Sequence, residues 1–265
     1  MTAIATPPPI GHLLRDWRQR RRRSQLDLAL DAGISTRHLS FVETGRARPS
    51  ADMVLRIAAE LEVPLRDRNG LLLAAGYAPV YRERPLDAPD MTAVRDVLQR
   101  LLDGHAPYPA AVVDRRWNLV AANAGIEILT AGVAPELLEP PVNGLRASLH
   151  PDGMAPRIAN LGEWRAHLLH RLERQVAATA DPALAELLDE LRGYPGDDEP
   201  RRSAHDVAAR LAVPLRLRTD DGELTFLSTV TTFGTAVEIT LSELAIESFF
   251  PADAETAERL RSATT

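Results

Sequence analysis

Between residues 11 and 76 the sequence starts and stops a helix five times, and nothing else in the 265 residues constrains the fold so tightly. Helices this short are marginal alone in water, so they must share one core. LLRDWRQRRRR supplies the first, with Leu13, Leu14 and Trp17 at helical spacing. Arg20 to Arg23 fall in its last turn, where cations suit the helix dipole. Ser24 opens the second through SQLD, a Ser-x-x-acid start similar to a capping box, and Gly33 ends it. Ser35 caps the third, Ile34 and Leu39 are placed as a hydrophobic staple around it, and Gly45 terminates it. Pro49 and Ser50 introduce the fourth, SADMVLRIAAELEV, which offers Met53, Leu55, Ile57, Ala58 and Leu61 to a core. A fifth near residues 65–75 closes the unit.

The third helix raises a question of its own. In GISTRHLSFVETG, Leu39 and Val42 anchor the segment, which leaves Thr36, Arg37, Ser40 and Phe41 facing water. Two helices joined by a glycine turn, the second with short polar, Arg and apolar groups outward, form a helix-turn-helix arrangement. In a major groove Arg37 is suited to the O6/N7 edge of guanine and Phe41 to a thymine methyl, while Thr36 and Ser40 are short enough to let the helix approach. Ser24 and Gln25, with the backbone amides at the start of the second helix, are placed for phosphates. Arg46 and Arg48, in the loop after the third helix, are expected to flank the nucleic-acid backbone.

Charge supports an anionic partner for this half alone. The chain carries a net charge of −6, but residues 1–80 hold 12 Arg against 8 acidic residues, and the remainder 19 Arg against 29. Such asymmetry suggests two jobs. With no Cys, disulfides, thiolate catalysis and Cys-based zinc sites are excluded. MTAIATPPPIG lacks a basic segment leading into an apolar run, and no apolar stretch approaches the ~20 residues of a membrane helix. The expected compartment is the cytoplasm, with no membrane partner.

SQLDLALDAGISTRHLSFVETGRARPSADMVLRIAAEL resembles the XRE (lambda-repressor-like) helix-turn-helix family, through Gln25, Gly33 and the S-x-x-E-x-G-x-x-x-P-S exit from Ser40 to Ser50. The resemblance implies an all-α domain over residues 9–79 that binds double-stranded DNA, with Thr36, Arg37, Ser40 and Phe41 on the bases. Domains of this kind read palindromes as dimers, so a homodimer on a palindromic operator is expected.

VYRERPLDAPD, residues 80–90, reads as a linker. Beyond it AVVDRRWNLVAAN has the pattern strand, turn, strand. Residues 158–178 space Ile158, Leu161, Trp164, Leu168, Leu172 and Val176 by threes and fours, as an amphipathic helix does, and Leu184 to Leu191 extend this into another. GYPGDDEPRRS reads as a loop. VPLRLRT-DDG-ELTFLSTVTTF-GT-AVEITLSEL predicts three antiparallel strands, turning at Asp221-Gly222 and at Gly234-Thr235.

PYPAAVVDRRWNLVAAN and LRLRTDDGELTFLSTVTTFGTAVEITLSELAIESFFPAD are similar to the ligand-binding domain of MmyB-like regulators. The resemblance implies, over residues 91–262, an α+β PAS-like domain with an antiparallel sheet that holds an apolar, fatty-acid-like effector.

No reactive constellation competes with that reading. His167 and His170 are spaced for a metal but lack a clear third ligand, so surface histidines are expected. Asp197, Asp198 and Glu199 sit in the loop beside Pro and Gly, and Asp206 of His205-Asp206 reads as a helix cap. No nucleophile elbow or Gly-rich phosphate loop is present, so neither an enzyme nor a cofactor is expected. Trp117, Trp164, Phe226 and Phe233 are candidates for the effector's wall, and Asn123 for its polar partner, since a buried Asn must find hydrogen bonds. Two other readings of this half stay open: a DNA-tethered enzyme acting on a small lipid-like substrate, and a purely structural dimerisation module.

Overall fold

Three serine hydroxyls fix where the short helices begin. The computed structural model describes residues 8–196, 213–234, 236 and 238–262. Five helices open the chain: α1 (Ile10–Arg20), α2 (Gln25–Asp31), α3 (Thr36–Glu43), α4 (Ala51–Glu60) and α5 (Leu65–Ala74). Ser24, Ser35 and Ser50 each accept a hydrogen bond from the backbone N–H three residues on, at 3.1, 3.1 and 3.3 Å. Each such cap stabilises its helix by about 1 kcal/mol. Gly33 and Gly45 follow α2 and α3 with φ of +63° and +74°, where a side chain would be strained.

Leu14, Trp17, Leu28, Leu39, Val42 and Ile57 meet in one core. In α4 the core residue is Val54, with Ile57 and Ala58. Met53 and Leu55, expected inside, are only half-buried, because the helix turns the intervening valine inward.

Packing groups the described residues into two units, one falling within residues 1–84, 177–179 and 236–242, the other within the remainder. The first half of the expected linker is tied down within the first unit. Asn69 accepts from the backbone N–H of Val80 and Tyr81 and donates to the Tyr81 carbonyl.

The second unit builds on α6 (Thr92–His105), β1 (Ala110–Val113), β2 (Leu119–Ala122), α7 (Glu127–Thr130), α8 (Gly144–Leu149), α9 (Leu161–Thr179), α10 (Pro182–Arg192), β3 (Leu215–Thr219) and β4 (Gly222–Thr232). The chain then forms α11 (Ile239–Ser242), β5 (Ala245–Pro251) and α12 (Ala254–Ser262). The strands make one antiparallel sheet in the order β2-β1-β5-β4-β3, the sheet expected of a PAS-like domain.

Two strand details differ from expectation. Thr219 pairs with Gly222, so the hairpin turns on Asp220 and Asp221, one residue early, and Gly222 opens β4 with φ of +124°. The third strand is not AVEITLSEL: that segment holds α11, and AIESFFP follows as β5 between β1 and β4. β-branched residues in the first segment and aromatic ones in the second mark both as strand-like. The central place goes to the one whose alternation packs both faces, with Ile246 and Phe249 buried on opposite sides. Thr235 of the second predicted turn, the Asp197–Glu199 trio and the helix at His205-Asp206 lie outside the described residues.

Opposed residues of antiparallel strands share a face. Ala245, Glu247 and Phe249 therefore share one with Val113, Phe226, Leu215 and Leu217. That face forms the domain core together with Trp117, Trp164, Leu168, Leu172 and the leucines of α10.

Candidate functional site

On α3 the buried side is Leu39, Val42 and Glu43, and the opposite side carries Thr36, Arg37, Ser40 and Phe41. Phe41 is half-buried rather than open. The guanidinium carbons of Arg37 and Arg46 lie 5.3 and 5.9 Å from its ring centroid, so two cations cover the ring. The result is an aromatic plate flanked by positive charge on the outside of a capped helix.

Glu43 fixes the back of that helix. Arg18 Nε and Nη2 donate to its two carboxylate oxygens at 2.6 and 2.9 Å, and Gln25 Nε2 donates to Oε2 at 2.7 Å. Burial by itself pushes the Glu43 carboxyl up, but the hydrogen bonds from Arg18 and Gln25 outweigh it and hold the group below the usual glutamate range. α1, α2 and α3 are thereby tied together through one carboxylate.

The residues expected at phosphates are placed unequally. Gln25 spends an amide proton on Glu43. Ser24 caps Asp27 N–H and donates its hydroxyl to the Asp27 carboxylate at 2.7 Å. Arg46 stands beside Phe41. Arg48 donates Nη2 to the Ala75 carbonyl at 3.0 Å and lies over Tyr77 at 5.5 Å, so much of its capacity is committed at the end of α5.

In the second unit Trp117, Trp164 and Phe226 come together in one core. Trp117 Nε1 donates to Gln175 Oε1 at 2.8 Å, and Trp164 Nε1 to Ser148 Oγ at 3.0 Å. Phe233 is half-buried past the end of β4 and outside that cluster. Asn123 is buried for a structural reason. Its carbonyl accepts from Ala110 N–H, and its amide donates to the Leu102 and Tyr108 carbonyls at 3.1 and 2.8 Å. Both amide protons are used, so the polar role expected of it toward an effector has no donor left. His167 stacks on Trp164, and His170 lies 3.8 Å from Glu173. Among the described residues no group of three His, Asp or Glu gathers to hold a metal, and no helix is long and apolar enough to cross a membrane.

Residues 94–263 match the family model described as the MmyB-like transcription regulator ligand binding domain. The chain belongs to the MmyB-like transcription regulators. A helix-turn-helix model matches residues 14–67 of the same chain, so this MmyB-like regulator is a DNA-binding transcriptional regulator with a ligand-sensing domain. It is 28% identical over 112 residues to the uncharacterized HTH-type transcriptional regulator RghRB of Bacillus subtilis (strain 168), across 42% of this chain and 78% of that one. It is also similar to a solved RNA-binding light-oxygen-voltage receptor at 16% identity and a TM-score of 0.27, over 96% of this chain but only 63% of the receptor.

Sequence reasoning missed two groups in this MmyB-like regulator. The partners of Glu43, Arg18 and Gln25, stand 25 and 18 residues away on other helices. The Arg171–Glu247 pair, in which Arg171 Nη1 donates at 3.0 Å, was hidden by the misplaced third strand. With the strand at 245–251, Glu247 falls between Ala245 and Phe249 on a core face, and an acid at that spacing signals a buried partner.

Proposed function

We propose that the protein binds a palindromic operator as a cytoplasmic homodimer and changes its DNA affinity when a small, apolar, fatty-acid-like effector enters the domain over residues 91–262. In this reading residues 9–79 are the DNA-binding domain and 80–90 the connection. Thr36, Arg37, Ser40 and Phe41 meet base edges. Ser24, Gln25, Arg46 and the uncommitted part of Arg48 meet phosphates. The observation that carries the reading is the outer face of α3, where Arg37 and Arg46 flank Phe41 on a helix locked from behind by Glu43. Trp117, Trp164, Phe226 and Phe233 are the apolar groups offered to the effector. A buried alkyl chain gains about 0.8 kcal/mol per CH₂, so a chain of about ten carbons binds with few polar contacts.

The test is binding-site selection on random duplexes with the wild type and with Arg37→Ala. The reading requires a two-fold symmetric motif from the wild type and loss of preference at one position of each half-site in the variant. An identical motif from both proteins removes Arg37 from base reading.

A further inference from the structure

Among the described strand residues, Glu247 is the one charged side chain on the helix-facing side of the sensor sheet. Glu247 stands on β5 between Ala245 and Phe249, with its side chain 12% exposed, and its carboxylate meets the Arg171 guanidinium from α9. Arg171 is 26% exposed, so solvent still reaches it. Its guanidinium carbon lies 4.3 Å from the centre of the Trp117 ring. Trp117 is itself held in place: its φ is +68°, a backbone conformation costly for a residue with a side chain, and Gln175 bonds its indole N–H. Gln175 in turn donates Nε2 to the Arg115 carbonyl at 2.6 Å.

His167, Arg171 and Gln175 follow one another at intervals of four, a polar stripe flanking the buried Trp164, Leu168 and Leu172 of the same helix. Across the sheet, Val230 pairs with Glu247, and Ser228 and Thr232 share its face. This row is open: Val230 is 40% exposed, in contrast with the sealed Phe226 at 0%. An apolar face, a cation seated on a fixed aromatic ring and an open row beside them are the parts of a site for a chain with an anionic head.

We propose that Arg171 is the anchor for the carboxylate of the effector, and that Glu247 is an internal stand-in which the effector's carboxylate displaces. This rests on the fatty-acid-like effector reading and names the residue that holds the head group, which that reading leaves open. A guanidinium matches a carboxylate in a two-point hydrogen bond, whereas Glu247 uses one of its oxygens on Arg171 and so holds the position without filling it. Burial pushes the Glu247 carboxyl above its usual range despite the attraction of Arg171, so losing that partner eases its protonation.

The experiment is calorimetric titration of the delipidated full chain with decanoic acid and with decanol, for the wild type, Arg171→Met and Glu247→Gln. In the wild type the acid binds about ten- to a hundredfold more tightly than the alcohol, the worth of a charge-assisted hydrogen bond. Arg171→Met removes that preference and leaves the alcohol's affinity in place. Glu247→Gln removes the competing carboxylate and tightens the acid, which tests the same idea should the Arg171 variant not fold. Equal binding of acid and alcohol by the wild type, a preference that survives Arg171→Met, or weaker acid binding by Glu247→Gln overturns the assignment while leaving an apolar effector. Absence of binding by both probes overturns the effector reading and the anchor with it.

Discussion

At Phe41, two guanidiniums cover a ring that the sequence alone leaves facing water. The proposed reading gives them different jobs on DNA. Arg37→Ala is expected to cost about 1–3 kcal/mol per half-site and to relax one base pair, whereas Arg46→Ala weakens all duplexes about equally. Competition binding on the selected operator and single-base variants of it separates the two. Gly11 gives a second prediction at this scale. A methyl group there would lie 2.8 Å from the Glu43 carbonyl oxygen and closer still to that of Val42. Alanine in a helix gains about 0.5–1 kcal/mol over glycine, but forcing two backbones apart costs about 1–3 kcal/mol, so Gly11→Ala is a net destabilisation. Urea denaturation followed by circular dichroism measures it, and an equal or raised midpoint contradicts it. The caps at Ser24, Ser35 and Ser50 were legible because a cap is local: hydroxyl and amide stand three residues apart. The ties of Asn123 and Arg48 were not, since their partners stand up to 27 residues away and only the fold brings them close.

Among elements, α3 depends on the Arg18–Glu43–Gln25 cluster more than on its own eight residues. The Glu43 side chain is 2% exposed, and removing one partner of a buried pair costs about 3–5 kcal/mol. Glu43→Gln should accordingly raise amide exchange in α1 to α3 at neutral pH. Its pH dependence has a definite sign. A carboxyl held lower in the folded chain than in the unfolded one stabilises the fold above the usual glutamate range, and that contribution disappears as pH falls through the folded value. The difference between wild type and variant must therefore narrow on acidification. A gap that widens instead refutes the role assigned to Glu43. Elements also mark where sequence reading reached its limit. The five short helices, the β1–β2 pair and the long α9 could be read from periodicity and turn residues. β5 could not be distinguished from residues 236–244, since both are rich in strand-forming residues and only pairing with β1 and β4 decides between them. That one misplacement hid Glu247, and with it the polar half of the proposed effector site.

For the whole chain, charge sets the first expectation. If each protomer neutralises three or four phosphates, the dimer's log affinity for DNA falls with log salt at a slope of about −5 to −7. A slope near −2 would leave too few neutralised phosphates even for Arg46 and Arg48 of both protomers. The second expectation concerns how effector and operator communicate. Residues 236–242 pack with the first unit, although β4 and β5 on either side of them in sequence belong to the second. Ile239 N–H donates to the Arg82 carbonyl at 2.9 Å, Thr240 Oγ1 to the Arg84 carbonyl at 2.6 Å, and Arg84 pairs with Glu238. The chain thus leaves the sheet from the end of β4, is fastened beside Arg84, and returns as the strand that carries Glu247. An effector alters DNA affinity only through a difference in its affinity for two arrangements of the chain, and such coupling is typically 5–150-fold and reciprocal. Thr240→Val combined with Glu238→Gln loosens the fastening without touching α3 or Arg171. The expected outcome is that decanoic acid and operator DNA each bind the double variant about as they bind the wild type, while the effect of one on the other falls toward unity. Titrating DNA with and without the acid, and the acid with and without DNA, measures the coupling from both sides. Coupling that persists undiminished in the variant would show that it does not travel through the fastening at Arg84.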